Sequence, residues 1–336
     1  MRLIGAILIL CCMSLISCKG PTNDPAKTAP KPTISALHFE DAFFRIDTLD
    51  FKAGLAALIK QYPQFSDDYF NRILMMSPQK ESEQILAFFK AYLPIYKAAK
   101  KLQASKIAGP QIEEGLKRFH YYFPEYPLPR QLIYFIGPLE TYGNVVVKDG
   151  IAIGLQLYLG ARSDWYFSEQ INTIYPEYIS RQFAPEYIVV HSMQNILNDY
   201  EPASLNGKKL IEQIIEIGKR QYIIAQCLPT SQDTLLLGYT KKQFEAIEEN
   251  RGDIWTFISS QNRLFSSDPN LIRSILAEAP YNDYFGEQIP GNVGKYIGLY
   301  IVQTWMGQQK GQSRQDLKAL LKTPAMTIFN EAKLDF

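Results

Sequence analysis

The 336-residue chain has only three histidines and four cysteines, and almost no net charge, with 35 Lys+Arg against 34 Asp+Glu. Each shortage excludes something. A nucleic-acid binder carries a basic surplus, and none exists here. Four cysteines are too few to staple a chain this long into a disulfide scaffold. A three-histidine zinc site would need His38, His120 and His191 together, from three distant segments. There is no Gly-rich phosphate loop, no G-x-S-x-G elbow and no C-x-x-C pair. Beyond the first twenty residues no run of 18 consecutive apolar residues occurs, so no later segment reads as a membrane span. What remains is 46% hydrophobic and 21% charged, the composition of a folded globular protein and not of a disordered one.

The N-terminus is the exception. MRLIGAILILCCMSLISCKG carries one charge (Arg2), an apolar run from Leu3 to Ile16 and then small residues. That is the layout of a secretory signal, and the run is short for a spanning helix, the alternative being an uncleaved anchor. Its end, Leu15-Ile16-Ser17-Cys18, resembles the bacterial lipobox, in which the cysteine becomes the acylated first residue of the mature chain. Residues 1–17 are then signal peptide, and Arg2, Cys11 and Cys12 leave with it. Cys18 carries lipid and Cys227 stands alone, so no disulfide forms within one copy. Several acyl chains make such an anchor firm. Residues 18–34, with four prolines, read as a lipidated tether, and residues 35–336 as a single domain. Asp24 is the only acidic residue in the tether. This favours the periplasmic face over surface display.

Along the domain the apolar spacing is mostly helical. Phe51, Leu55, Leu58 and Ile59 fall on one face, and Pro63 ends that helix. Ser66 is expected to cap DDYFNRILMM. A long helix over ESEQILAFFKAYLPIYKAAKKLQ should bend at Pro94, and QIEEGLKRFHYYF should stop at Pro124. The middle differs: QLIYFIG and NVVVKDGIAIGLQLYLG are β-branched and aromatic, with Asp149-Gly150 expected as a hairpin turn. EYIVVHSMQNILNDY, NGKKLIEQIIEIGKRQYIIAQCL with Asn206 as cap, and VGKYIGLYIVQTWM return to helix. The expectation is an α+β fold, mostly helical, with one small central antiparallel sheet.

One arrangement carries possible chemistry. His191-Ser-Met-Gln-Asn195 sits in an apolar helix, in the register of the H-E-x-x-H zinc peptidases, whose two histidines bind metal and whose glutamate activates water. Here Ser192 stands at the base and Asn195 at the second ligand. Glu216, on the next helix, stands where some such enzymes place an acidic third ligand. The expectation is a zincin-like scaffold without an intact H-E-x-x-H, hence no catalytic residue, no metal and no cofactor; the alternative reading of His191 is a buried polar residue with a hydrogen-bond partner. Glu113-Glu114 and Glu248-Glu249 diverge around a helix and read as solvated faces. The aromatics (21 Tyr, 19 Phe, 3 Trp) read as core or as a binding platform. Cys227 reads as a small buried hydrophobe, and the glycines after Pro290 as permitting close helix packing.

The lipobox ending at Cys18 is followed by FHYYFPEYPLP (Phe119–Pro129), NVVVKDGIAIGLQLYLG (Asn144–Gly160), PEYIVVHSMQNIL (Pro185–Leu197), LIEQIIEIGKRQYII (Leu210–Ile224) and IPGNVGKYIGLYIVQTWM (Ile289–Met306), in order over nearly the whole mature chain. In these segments the chain resembles the GldB gliding motility lipoproteins of Bacteroidetes. Gln156 stands where the resemblance leads us to expect an aspartate, and Asn292 where it leads us to expect an arginine. It implies a lipid-anchored, non-catalytic component of the gliding and associated outer-membrane secretion machinery, a pseudopeptidase-like scaffold whose partners are cell-envelope proteins and not nucleic acid. Two other readings remain: a zinc metallohydrolase using His191, Glu216 and a further acidic residue, and a periplasmic peptide- or glycan-binding module.

Overall fold

The computed structural model describes residues 24–148, 150–309 and 314–336. Residues 1–23, with Cys18 and the signal peptide, lie outside the described residues. So does Asp149 of the expected hairpin turn.

The chain enters through a short 3-10 turn, Pro25–Thr28, and strand β1 (Ser35–His38). Helices α1 (Phe39–Phe43), α2 (Phe51–Gln61), α3 (Pro63–Asp68), α4 (Ser82–Leu102) and α5 (Ala104–Tyr122) follow. Then come β2 (Gln131–Phe135), β3 (Asn144–Val147) and β4 (Gly150–Gly154). The remainder is helical: α6 (Glu169–Ile174), α7 (Glu177–Ser180), α8 (Tyr187–Tyr200), α9 (Leu210–Cys227), α10 (Asp233–Leu237), α11 (Lys241–Glu249), α12 (Arg251–Ser259), α13 (Pro269–Leu276), α14 (Val293–Gln308), α15 (Arg314–Lys322) and α16 (Ala325–Glu331). The α+β class with a small central sheet is therefore found.

The sheet is mixed, not antiparallel. Its order is β1-β2-β4-β3. β1 runs parallel to β2 and β2 parallel to β4, and only the β3–β4 pair is antiparallel. β4 is buried along its whole length, as expected for a strand covered on both faces. β1 and β2 are joined by a long crossover through α1–α5, and strand direction across a crossover leaves no local mark in the sequence. Gly150, expected as a turn residue, belongs to β4, where it pairs with Gln131 and Val147.

Two helix boundaries also differ from the sequence reading. Ser66 lies inside α3 and not at its cap, and a π-helical turn (Tyr69–Ile73) follows. α9 starts at Leu210 behind Lys209, three residues after Asn206, with Glu212 accepting from the Lys209 backbone amide. Pro94 and Pro110 lie inside α4 and α5.

Phe39, Phe43, Phe65, Tyr69, Phe70 and Phe135 pack as one aromatic cluster against the sheet, with ring centroids from 4.8 Å apart. In the other half, α9 and α14 meet backbone to backbone. A Cβ placed on Gly218 would lie 2.1 Å from the Gly298 carbonyl oxygen, and one on Gly298 would lie 2.0 Å from that of Ile214. No side chain fits there, so both glycines are required by the contact.

Residues 24–28, part of the stretch read as tether, are held against α5. Ala26 is fully buried. Asp24 pairs with Arg118 at 2.6 Å, and Lys117 Nζ donates to the Lys27 carbonyl at 2.9 Å.

Candidate functional site

Helix α8 buries Ile188, Val189, Val190, Met193, Ile196 and Leu197, which fixes where its polar residues point. Ser192 and Asn195 face the start of β3. Asn144 Nδ2 donates to Ser192 Oγ (3.0 Å) and to the Ile188 carbonyl (3.3 Å), and Asn195 Nδ2 donates to the Asn144 carbonyl (2.8 Å). The two residues standing at the base and second-ligand positions thus clasp a helix to a strand.

His191 is half-buried on the same helix. Its Nδ1 lies 3.0 Å from Tyr158 Oη and its Nε2 lies 3.4 Å from Gln182 Oε1. Tyr187 stacks on the ring at 5.8 Å. Burial lowers its pKa to about 4, and the charge of Lys295 adds to the effect. The imidazole is therefore neutral at pH 7. A neutral ring has one donor and one acceptor, matched here by Tyr158 donating to Nδ1 and Nε2–H donating to Gln182.

Glu216 is engaged elsewhere. Its Oε1 accepts from Lys208 (3.1 Å) and from the buried Lys219 (3.0 Å), whose ammonium also donates to the Thr323 carbonyl. None of these is a partner of His191. Among the described residues, the one group of three His, Cys, Asp or Glu side chains close enough to share an ion contains neither His191 nor Glu216. Glu114 pairs with Lys117 and Arg118, and Glu248 accepts from Tyr296 Oη, so neither doublet forms an acid–base pair.

That group of three is His38, Glu40 and Asp41, whose ligand atoms all lie within 4.8 Å of one another. It forms where β1 ends and α1 begins, at the carboxyl end of a parallel strand, the usual side for ligands in such sheets. His38 Nδ1 lies 2.9 Å from Glu40 Oε1, and its ring stacks on Tyr134 at 5.2 Å. Glu40 is only 4% exposed, and its Oε2 is buried without a hydrogen-bond partner. An orphaned acceptor of this kind costs roughly 1–3 kcal/mol, more when charged. Burial raises the Glu40 pKa, and the bond to Glu40 raises that of His38, so the pair holds a proton more tightly than either group alone. Asp41 accepts from Tyr96 Oη (3.0 Å) and from Lys100 on both oxygens. Burial opposes its ionisation, but Lys100 and Tyr96 outweigh it and lower the pKa. The three residues open onto a cleft of about 460 Å³ that Lys100, Lys106 and Leu155 complete. The sequence carries a signal for this site in the short run His38-Phe-Glu-Asp41, whose spacing is not the helical i, i+4 of a metal-binding helix.

A larger cleft of about 980 Å³ lies between Lys27, α5 and the start of α8. Of its charged residues, Glu114, Lys117 and Arg118 are occupied with one another and with the entering chain.

The family model for the gliding motility protein GldB matches residues 22–335. The chain belongs to the GldB family. No curated protein sequence and no solved structure matches it. GldB membership makes the chain a gliding-motility-related lipoprotein, anchored at a membrane of the cell envelope. No helix among the described residues is long and apolar enough to cross a membrane.

The two positions where this GldB chain was read as departing from expectation have physical partners. Gln156 is fully buried; its Oε1 accepts from the Gly137 amide (2.9 Å) and its Nε2 donates to the Tyr142 carbonyl (3.0 Å). An aspartate could accept the first bond but would set a second oxygen against a carbonyl. Asn292 adopts a left-handed backbone (φ 58°) at the start of α14, and its Nδ2 donates to Glu278. Asparagine tolerates that conformation better than most residues.

Proposed function

We propose that the protein is a non-catalytic component of the gliding and associated secretion machinery, lipid-anchored through Cys18 on the periplasmic face of the outer membrane, and acting through contacts with other envelope proteins. In this reading residues 35–336 form one domain that uses a peptidase-like helix arrangement as a scaffold. The observation that carries it is the Asn144 clasp. Ser192 and Asn195 are taken up in joining α8 to β3, while His191 is neutral and enclosed by Tyr158, Gln182 and Tyr187. A reaction at this helix would have to break those bonds before it began. The contact role is supported by Trp165, Phe167 and Ile174, which leave 37%, 51% and 45% of their surface exposed within one short stretch. Exposed apolar surface, where it is contiguous, is where partners dock.

The test is complementation of a gene deletion, which should abolish gliding or secretion, with full-length variants expressed at wild-type level. His191→Gln should restore gliding fully, whereas Trp165→Ser/Phe167→Ser should not. Loss of gliding in a folded, abundant His191→Gln protein would count against a non-catalytic role.

A further inference from the structure

We propose that His38, Glu40 and Asp41 form a binding site for one first-row divalent cation, with Zn²⁺ and Mn²⁺ as the ions whose ligand chemistry it matches. One imidazole and two carboxylates within 4.8 Å of one another are the mixed nitrogen and oxygen donors that these ions accept. Ca²⁺ and Mg²⁺, in contrast, favour all-oxygen shells.

The second observation is independent of the clustering. Glu40 is more than nine-tenths buried, and its Oε2 has no partner from the protein. Buried carboxylate oxygens are nearly always satisfied. In a hydrogen-bonded core a lone acceptor of this kind marks a place where a donor or a cation belongs. Glu40 lines the cleft of about 460 Å³ together with Leu155 and the first residues of α5, room enough for an ion with its waters.

Lys100 explains how the site holds together without an ion. Its ammonium sits on both Asp41 oxygens, placing one positive charge beside that carboxylate. The Lys100 side chain is 50% exposed and can swing into solvent. A divalent cation brings more charge to the same spot and reaches Glu40 as well. Lys100 and the ion therefore compete for Asp41. With Lys100 displaced, the Tyr96 bond to Asp41 is what still ties the β1–α1 corner to α4. No catalytic role follows from this, and the proposal stands whether or not the domain is an enzyme.

The test uses the full-length protein in detergent, stripped with chelator and titrated with Zn²⁺, then separately with Mn²⁺, by calorimetry. The expected result is saturation at one ion per chain. His38→Ala, at a side chain 43% exposed, and Glu40→Gln should each weaken binding at least tenfold. Lys100→Met should tighten it several-fold by removing the competitor, and His191→Ala should leave it unchanged. Absence of saturable binding in both the wild type and Lys100→Met overturns the proposal, as does binding that survives His38→Ala and Glu40→Gln together. Binding that is lost in His191→Ala but kept in His38→Ala also overturns it, and would revive a metal site on α8. Since ion binding is read without gliding, failure here and failure of the proposed function are separate results.

Discussion

The imidazole of His191 shows how one side chain can make stability depend on pH. Its folded pKa of about 4 lies below the ordinary value of about 6.5. Between those values the unfolded chain binds a proton that the folded chain refuses. Stability is therefore full above pH 6.5 and falls as the pH drops toward 4, by about 3 kcal/mol at most from this residue. Denaturant unfolding at pH 7 and pH 4.5 should show that loss in the wild type and a smaller one in His191→Gln. An equal loss in both would mean that His191 is not held neutral by burial. Cys227 offers a second residue-level check. It is 1% exposed, and burial pushes its thiol up to about 12, so the reactive thiolate is scarce at pH 8. A thiol reagent should modify it only after denaturation. Rapid labelling of the native protein would show that the helix α9 end opens freely.

Elements are where the sequence was most and least informative. Helices α8 and α14 were legible because their apolar residues recur at helical spacing and both are framed by proline or glycine. β3 and β4 were legible as a hairpin because two β-branched runs flank Asp149-Gly150. β1, with only four residues and a mostly exposed face, carried too little pattern to be seen, and without it the parallel half of the sheet could not be read. The candidate cation site shares that blindness, because it exists only where β1 ends beside α4 and α5. The Ser192 and Asn195 positions were found, but their tie to Asn144 spans about fifty residues of sequence and has no local signature. The α9–α14 contact was foreshadowed by glycines near Pro290, though the decisive pair proved to be Gly218 and Gly298. For these we expect Gly218→Ala and Gly298→Ala each to cost on the order of 2–4 kcal/mol, since backbone atoms at 2.0–2.1 Å cannot yield without moving a helix. Gly307→Ala on the same α14 meets nothing within 4 Å and should stabilise by up to about 1 kcal/mol. Thermal unfolding of the three variants decides the matter; similar melting temperatures would show that the two helices are free to separate.

At the scale of the molecule the entering chain sets how the domain meets its surroundings. Asp24, Ala26 and Lys27 are fastened to α5 through Arg118 and Lys117. Arg118→Ala should therefore make residues 24–34 a rapid cleavage site for added protease while the rest of the domain survives. Equal cleavage of the wild type would show that the fastening contributes nothing. With the lipid on Cys18, as proposed, only the residues between it and Asp24 separate the domain from the membrane, a reach of at most about 20 Å. Releasing residues 24–34 up to the first bond of β1 would add about 35 Å. The docked turn is thus a latch between two standing heights, one with the domain close to the lipid surface and one several nanometres clear of it.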